Sequence, residues 1–113
     1  MNKILEENKM NKSPMELLKH FAPEFAENQM QEKALIFENN RYQKVPNKYK
    51  MLVGIGVAAA LGSDTCTQMW VKMAKQNGVT NEEIIEAINV ARYMKQATVN
   101  DTVANSLKIL DGE

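Results

Sequence analysis

One cysteine, Cys66, follows Ser63 by three residues in the run Gly62-Ser63-Asp64-Thr65-Cys66, and it is the side chain best suited to covalent chemistry. With Ser63 as a helix N-cap, Cys66 becomes the third helical residue, where unpaired amides and the helix dipole favour an anionic sulfur. That preference is worth only about 0.3–1 kcal/mol near a helix start, and the carboxylate of Asp64 opposes it. The chemistry would be attack by sulfur or oxidation of it, with Ser63 as a hydrogen-bond donor. A lone cysteine is otherwise a small apolar side chain filling a core. Trp70, four residues on, covers the same helical face. His20, the single histidine, reads as a solvated or capping group at the end of a short helix, and would serve Cys66 as a base only if the fold brought the two together.

Lys50, Arg92 and Lys95 are the cations that could hold a substrate carboxylate if they converge; apart, they are ordinary solvated charges. The methionines at 51, 69, 73 and 94 fall mostly on apolar stripes and read as core filler. One cysteine excludes an intrachain disulfide, and no cysteine and histidine cluster has metal-ligand spacing, so neither a metal nor a cofactor is expected. Gly54-Ile55-Gly56 lacks the third glycine, the lysine and the preceding strand of a phosphate loop.

The elements that must position these residues lie in 113 residues, a length that fits one domain. Residues 1–12 read as a polar tail and residues 13–113 as a single helical domain. Lysine plus arginine balances aspartate plus glutamate at 14 each, so no global field draws in nucleic acid or an anionic membrane. The longest apolar run, Met51 to Leu61, is far below the ~20 residues of a membrane span, and the start Met-Asn-Lys-Ile-Leu-Glu-Glu is acidic where a signal peptide is apolar. A soluble, cytoplasmic protein is the expectation. A chain this short leaves apolar surface that association would cover.

Only helices are signalled, and the expected fold is an all-α bundle of about five to six. Ser13-Pro14-Met15-Glu16 is a capping box with proline at the first helical position. Pro23 ends that helix and opens another, with Phe25, Met30, Ala34, Ile36 and Phe37 on a partial apolar face. Asn39-Asn40-Arg41 interrupts the pattern, and Val45-Pro46-Asn47 starts a helix that is apolar on nearly every side and therefore central. Its glycines, Gly54 and Gly56, each cost about 1 kcal/mol relative to alanine, tolerable where neighbouring helices must come close. Ser63 starts the cysteine helix, Asn77-Gly78 stops it, and Thr80-Asn81-Glu82-Glu83 opens the next, antiparallel to it. A separate last helix is expected after Gln96, marked by Val99, Val103, Leu107 and Leu110.

From Val45 to Leu110 the order is a proline-started apolar helix, Gly-Ser-x-x-Cys, a helix ending Asn77-Gly78, and Val79-Thr80-Asn81-Glu82-Glu83-Ile84-Ile85-Glu86-Ala87. This resembles the carboxymuconolactone decarboxylase and alkylhydroperoxidase D-like family. The resemblance implies an all-α fold assembling into trimers or hexamers, with sites near subunit contacts, and two chemistries. The peroxidase branch has a Cys-x-x-Cys dithiol, a histidine four residues after the second cysteine and a glutamate twelve before the first. Here Ser63 replaces the first cysteine, Cys66 matches the second, Trp70 stands at the histidine and Met51 at the glutamate. Peroxidase (peroxiredoxin-type, oxidoreductase) activity would then be of a one-cysteine kind at Cys66, with an external thiol as reductant, since no second sulfur closes a disulfide within the chain. The other implied chemistry is that of a decarboxylase or lyase on a small carboxylated lactone or keto acid, with Met51 and Trp70 lining its site and Lys50, Arg92 or Lys95 holding the carboxylate. A non-catalytic oligomeric relative is the third reading.

Overall fold

A computed structural model of the chain describes residues 12–112, so the tail expected over residues 1–12 lies, but for Lys12, outside the described residues. The chain forms two compact units that meet in sequence at Lys44 and Val45. Among the described residues there is no strand, and no helix is long and apolar enough to cross a membrane.

The first unit contains α1 (Pro14–Phe21), α2 (Pro23–Phe37) and a 3-10 turn at Asn40–Tyr42. Ser13 caps α1 by accepting the Glu16 amide at 3.2 Å. Proline at the start of α2 makes the break at Ala22, as its ring geometry requires. The Asn39 side chain accepts the Arg41 amide at 2.9 Å and turns the interruption into the 3-10 turn. The apolar face expected of α2 is not a buried one: Ala26 is its buried residue, while Phe25, Met30 and Ile36 are exposed.

The second unit contains α3 (Asn47–Ala60), α4 (Asp64–Gln76) and α5 (Asn81–Leu110). Gly62 and Gly78, at φ 78° and 82°, occupy the left-handed conformation that ends α3 and α4. In each turn the residue after the glycine donates back to the last helical turn, Ser63 to Ala58 and Val79 to Ala74, both at 3.0 Å. Val79 is buried, the apolar contact that accompanies such a stop.

α3 is central because both later helices pack on it. Its core residues Met51, Ile55 and Ala58 are buried. A methyl group at Gly54 would lie 3.1 Å from the Trp70 ring of α4, whereas one at Gly56 would lie 3.7 Å from the Ala87 carbonyl and 3.8 Å from Ala91 of α5. The short turn at Gly62 folds α4 back along α3. α5 runs the same way as α3, since partners climb both helices together: Lys48 with Glu83, Gly56 with Ala87 and Ala91, and Ala60 with Lys95. α4 and α5 are therefore antiparallel in sense, but each packs on α3 more than on the other. α3 is also less enclosed than a helix apolar all round would be, since Val53 and Val57 are exposed.

The separate last helix expected after Gln96 does not exist; α5 is continuous to Leu110. No glycine or proline lies between Gln96 and Leu110, and Thr98 and Thr102 donate their hydroxyls to the Lys95 and Thr98 carbonyls at 2.6 and 2.8 Å without breaking the helix. At 1.5 Å per residue α5 is about 45 Å long against about 21 Å for α3. Its C-terminal part therefore runs on past the end of α3.

The two glycines should respond oppositely to alanine. Gly56→Ala adds a methyl at ordinary contact distance and should gain about 0.5–1 kcal/mol of helix propensity in urea unfolding. Gly54→Ala presses on the Trp70 ring, and overpacking of that kind costs about 1–3 kcal/mol, so it should be less stable than Gly56→Ala and no better than the parent. Equal stabilisation by both would show that Trp70 does not hold α4 against Gly54.

Candidate functional site

Cys66 stands in the first turn of α4, half-buried, with a free thiol. Its place is set by Ser63, whose Oγ accepts the Cys66 backbone N–H at 3.2 Å. Thr67 completes the turn by donating its hydroxyl to the Ser63 carbonyl at 2.6 Å. Ser63 thus acts on the backbone of Cys66, a positioning role, where spacing alone brings to mind a donor to the sulfur. Asp64 accepts from the Gln68 side chain at 3.1 Å, one turn along α4.

Trp70 is half-buried, its ring over Gly54, and ties the cysteine helix to α3. Met51, one turn before Gly54, is 6% exposed and part of the core. Of the other methionines read as core filler, Met69 and Met94 are exposed and Met73 is half-buried. His20 lies in the first unit, exposed and edge-on to Phe21 with ring centroids 4.8 Å apart.

The cations divide. Arg92 and Lys95 of α5 line one groove of about 370 Å³ with Ala59, Ala60, Gln96 and Val99, at the end of α3. Lys95 also donates to the Ala60 carbonyl at 3.0 Å and so closes the C-terminus of α3. Lys50, half-buried near the start of α3, does not line that groove, and neither do Cys66, Ser63, Met51 or Trp70. Among the described residues there is no group of three or more histidine, cysteine or acidic side chains arranged to hold a metal.

A second groove, about 570 Å³, runs between α3 and α5, walled by Tyr49, Val53 and Val57 on one side and Val90 and Met94 on the other. Sequence reasoning did not find it. The only signal was the excess of apolar residues on α3, since its walls come from positions some 35 residues apart that share no local motif.

The parallel alignment of α3 and α5 is clamped at their starts. Thr80 and Glu83 form a capping box, with the Thr80 amide donating to Glu83 Oε1 at 3.0 Å and the Glu83 amide to Thr80 Oγ1 at 3.2 Å. Glu83 also pairs with Lys48 of α3. The Lys48 ammonium, and after it the Thr80 amide, hold the Glu83 carboxyl down at about 2, and the same hydrogen bond raises Lys48.

With this geometry established, three comparisons place the chain. The carboxymuconolactone decarboxylase family model matches residues 23–104, and the chain belongs to that family. It is 36% identical over 62 residues to a Paracoccus denitrificans protein called uncharacterized protein 4 in cox locus; the match covers 55% of this chain and spans only 56% of the length of that relative. A crystal structure of a Methanobacterium thermoautotrophicum protein, a structural-genomics target, has the same fold: TM-score 0.70 over 78% of this chain and 92% of that one, at 23% identity.

Linkage sets the pH dependence of the clamp. A carboxyl whose folded value is depressed contributes stability that is present above its unfolded value, ordinarily 4.5, and is lost as pH falls toward about 2. The stability difference between the parent and Glu83→Gln, from urea titrations, should therefore hold steady above about pH 5 and shrink as acid is added through that window. Added salt should reduce it, because the pair is exposed. A difference unchanged down to pH 2 would rule out the Glu83 charge as its origin.

Proposed function

We propose that this member of the carboxymuconolactone decarboxylase family reduces hydroperoxides by one-cysteine thiol chemistry at Cys66. The observation that carries the reading is the placement of Cys66: first turn of α4, partly accessible, its backbone amide tied to the Ser63 cap. The Cys66 thiolate attacks the terminal peroxide oxygen, the O–O bond breaks, and the alcohol leaves with a proton while Cys66 becomes a sulfenic acid. One external thiol then condenses with the sulfenic acid to release water and form a mixed disulfide, and a second releases Cys66 and departs as the oxidised disulfide. Two external thiols are consumed per peroxide. Ser63 has the role of positioning the helix turn that carries the sulfur, and the half-buried Trp70 of keeping α4 seated on α3. A helix start contributes little to thiolate formation. Turnover is therefore expected to be modest.

The lyase reading calls for a pocket lined by Trp70 and Met51 of one subunit and by cations, Lys50, Arg92 or Lys95, of another; within one chain Arg92 and Lys95 share a groove with neither Trp70 nor Met51.

Hydroperoxide consumption with excess dithiothreitol tests the proposal. Cys66→Ala should abolish the protein-dependent rate, while Ser63→Ala should leave a reduced rate together with a loss of about 0.5–2 kcal/mol of stability from the missing cap. A Cys66→Ala protein that consumes peroxide as fast as the parent would end the thiol reading.

A further inference from the structure

Asn77-Gly78 stops α4, and it is the single Asn-Gly pair in the chain. That pair has a chemistry of its own beyond ending a helix. The glycine amide nitrogen, unhindered by a Cβ, can attack the asparagine side-chain carbonyl and close a five-membered imide. The bond from Gly78 N to Asn77 Cγ forms, the Cγ–Nδ2 bond breaks, and the nitrogen leaves as ammonia. Water then opens the imide at one carbonyl or the other and leaves aspartate or isoaspartate. The sum is amide plus water giving acid plus ammonia, with no oxidant, reductant or further reactant. Asn77 and Gly78 are both exposed, so water reaches them.

The fold holds the pair away from this reaction in three ways. Asn77 has ψ 16°, so Gly78 N nearly eclipses the Asn77 nitrogen, whereas ring closure requires it to eclipse Cβ. The Asn77 side-chain amide donates to the Met73 carbonyl at 2.8 Å, which directs Cγ back along α4. The attacking nitrogen is itself engaged, donating to the Lys75 carbonyl at 3.2 Å. Beside it Val79, 2% exposed, donates to the Ala74 carbonyl at 3.0 Å and seats the turn.

We infer that Asn77 is a self-modification site held shut by the α4 stop, and that it deamidates only through openings of that stop. Helix ends open locally at a lower free energy than the whole domain unfolds, so the route exists in the folded chain. The product does not rebuild the stop. A carboxylate at position 77 has no N–H to donate to Met73, and its charge meets the negative end of the α4 dipole. Isoaspartate also adds a methylene to the backbone, which shifts the Gly78 and Val79 amides off the Lys75 and Ala74 carbonyls. The change is therefore one-way. It records opening and loosens the link between α4 and α5, where Lys75 Nζ donates to the Asn81 side chain at 2.6 Å. The site is independent of Cys66, and loss of the thiol reading would leave it intact.

Peptide mapping by mass spectrometry tests this, with the folded chain and the guanidinium-unfolded chain incubated side by side at one mildly alkaline pH. Conversion of Asn77 reads as the mass gain of amide to acid; Asp111-Gly112 can close the same ring but loses water, and so returns no mass gain. The folded chain should convert at least about tenfold more slowly than the unfolded one, since each reaction waits on opening. Guanidinium below the unfolding transition should speed it. Val79→Ala keeps the Asn-Gly pair but unseats the turn, and should raise the folded rate severalfold with the unfolded rate unchanged. Asn77→Gln should abolish the conversion. Equal folded and unfolded rates, a folded rate that neither guanidinium nor Val79→Ala moves, or no conversion at Asn77 in the unfolded chain would overturn the inference.

Discussion

The second unit depends on how close two helices can come to α3. Gly54 and Gly56 are two residues apart, about 200° around the helix, so they open opposite sides of it. Trp70 lies over the first opening, and the Ala87 and Ala91 stretch of α5 lies over the second. Between them Ile55 is completely buried. The propensity lost at each glycine, about 1 kcal/mol, is offset by packing that a side chain at the same place would displace.

From that contact the position of the cysteine follows. α4 can lie on Gly54 only if the chain reverses directly after Ala60, which Gly62 permits, and the reversal leaves Ser63 at the N-cap with Cys66 one turn inside. α5 is fixed at one end by the Lys48 and Glu83 pair and farther along by Lys95 on the last turn of α3. Those ties align the helices and leave the grooves beside them. The cysteine at the start of α4 and the cationic groove beside Ala59 and Ala60, both at the C-terminal end of α3, are thus separate consequences of one packing arrangement.

Local chemistry made much of this legible. Serine, proline and glycine at helix ends, together with two capping boxes, located α1, α4 and the start of α5, and the tolerance of Gly54 for close packing was readable from its place in an apolar helix. The continuity of α5 was not, because the apolar positions Val99, Val103, Leu107 and Leu110 after Gln96 fit a separate helix as well as a continued one. The grooves were hidden for another reason. They arise from the parallel alignment of α3 and α5, which residues far apart in sequence set and no short motif records. The role of Ser63 lies between the two cases, since spacing located it as a cap while its hydrogen bond to the Cys66 amide belongs to the folded turn.

The central functional claim is that Cys66 reacts with peroxide in the folded protein. Labelling of the native chain with iodoacetamide, before and after one equivalent of hydroperoxide and followed by mass spectrometry across a range of pH, tests it most directly. The account predicts native labelling that peroxide suppresses, a sulfenic acid at Cys66, and recovery of labelling with added thiol. A cysteine that labels only after unfolding, or whose labelling peroxide does not change, would make Cys66 a packing residue and contradict the account.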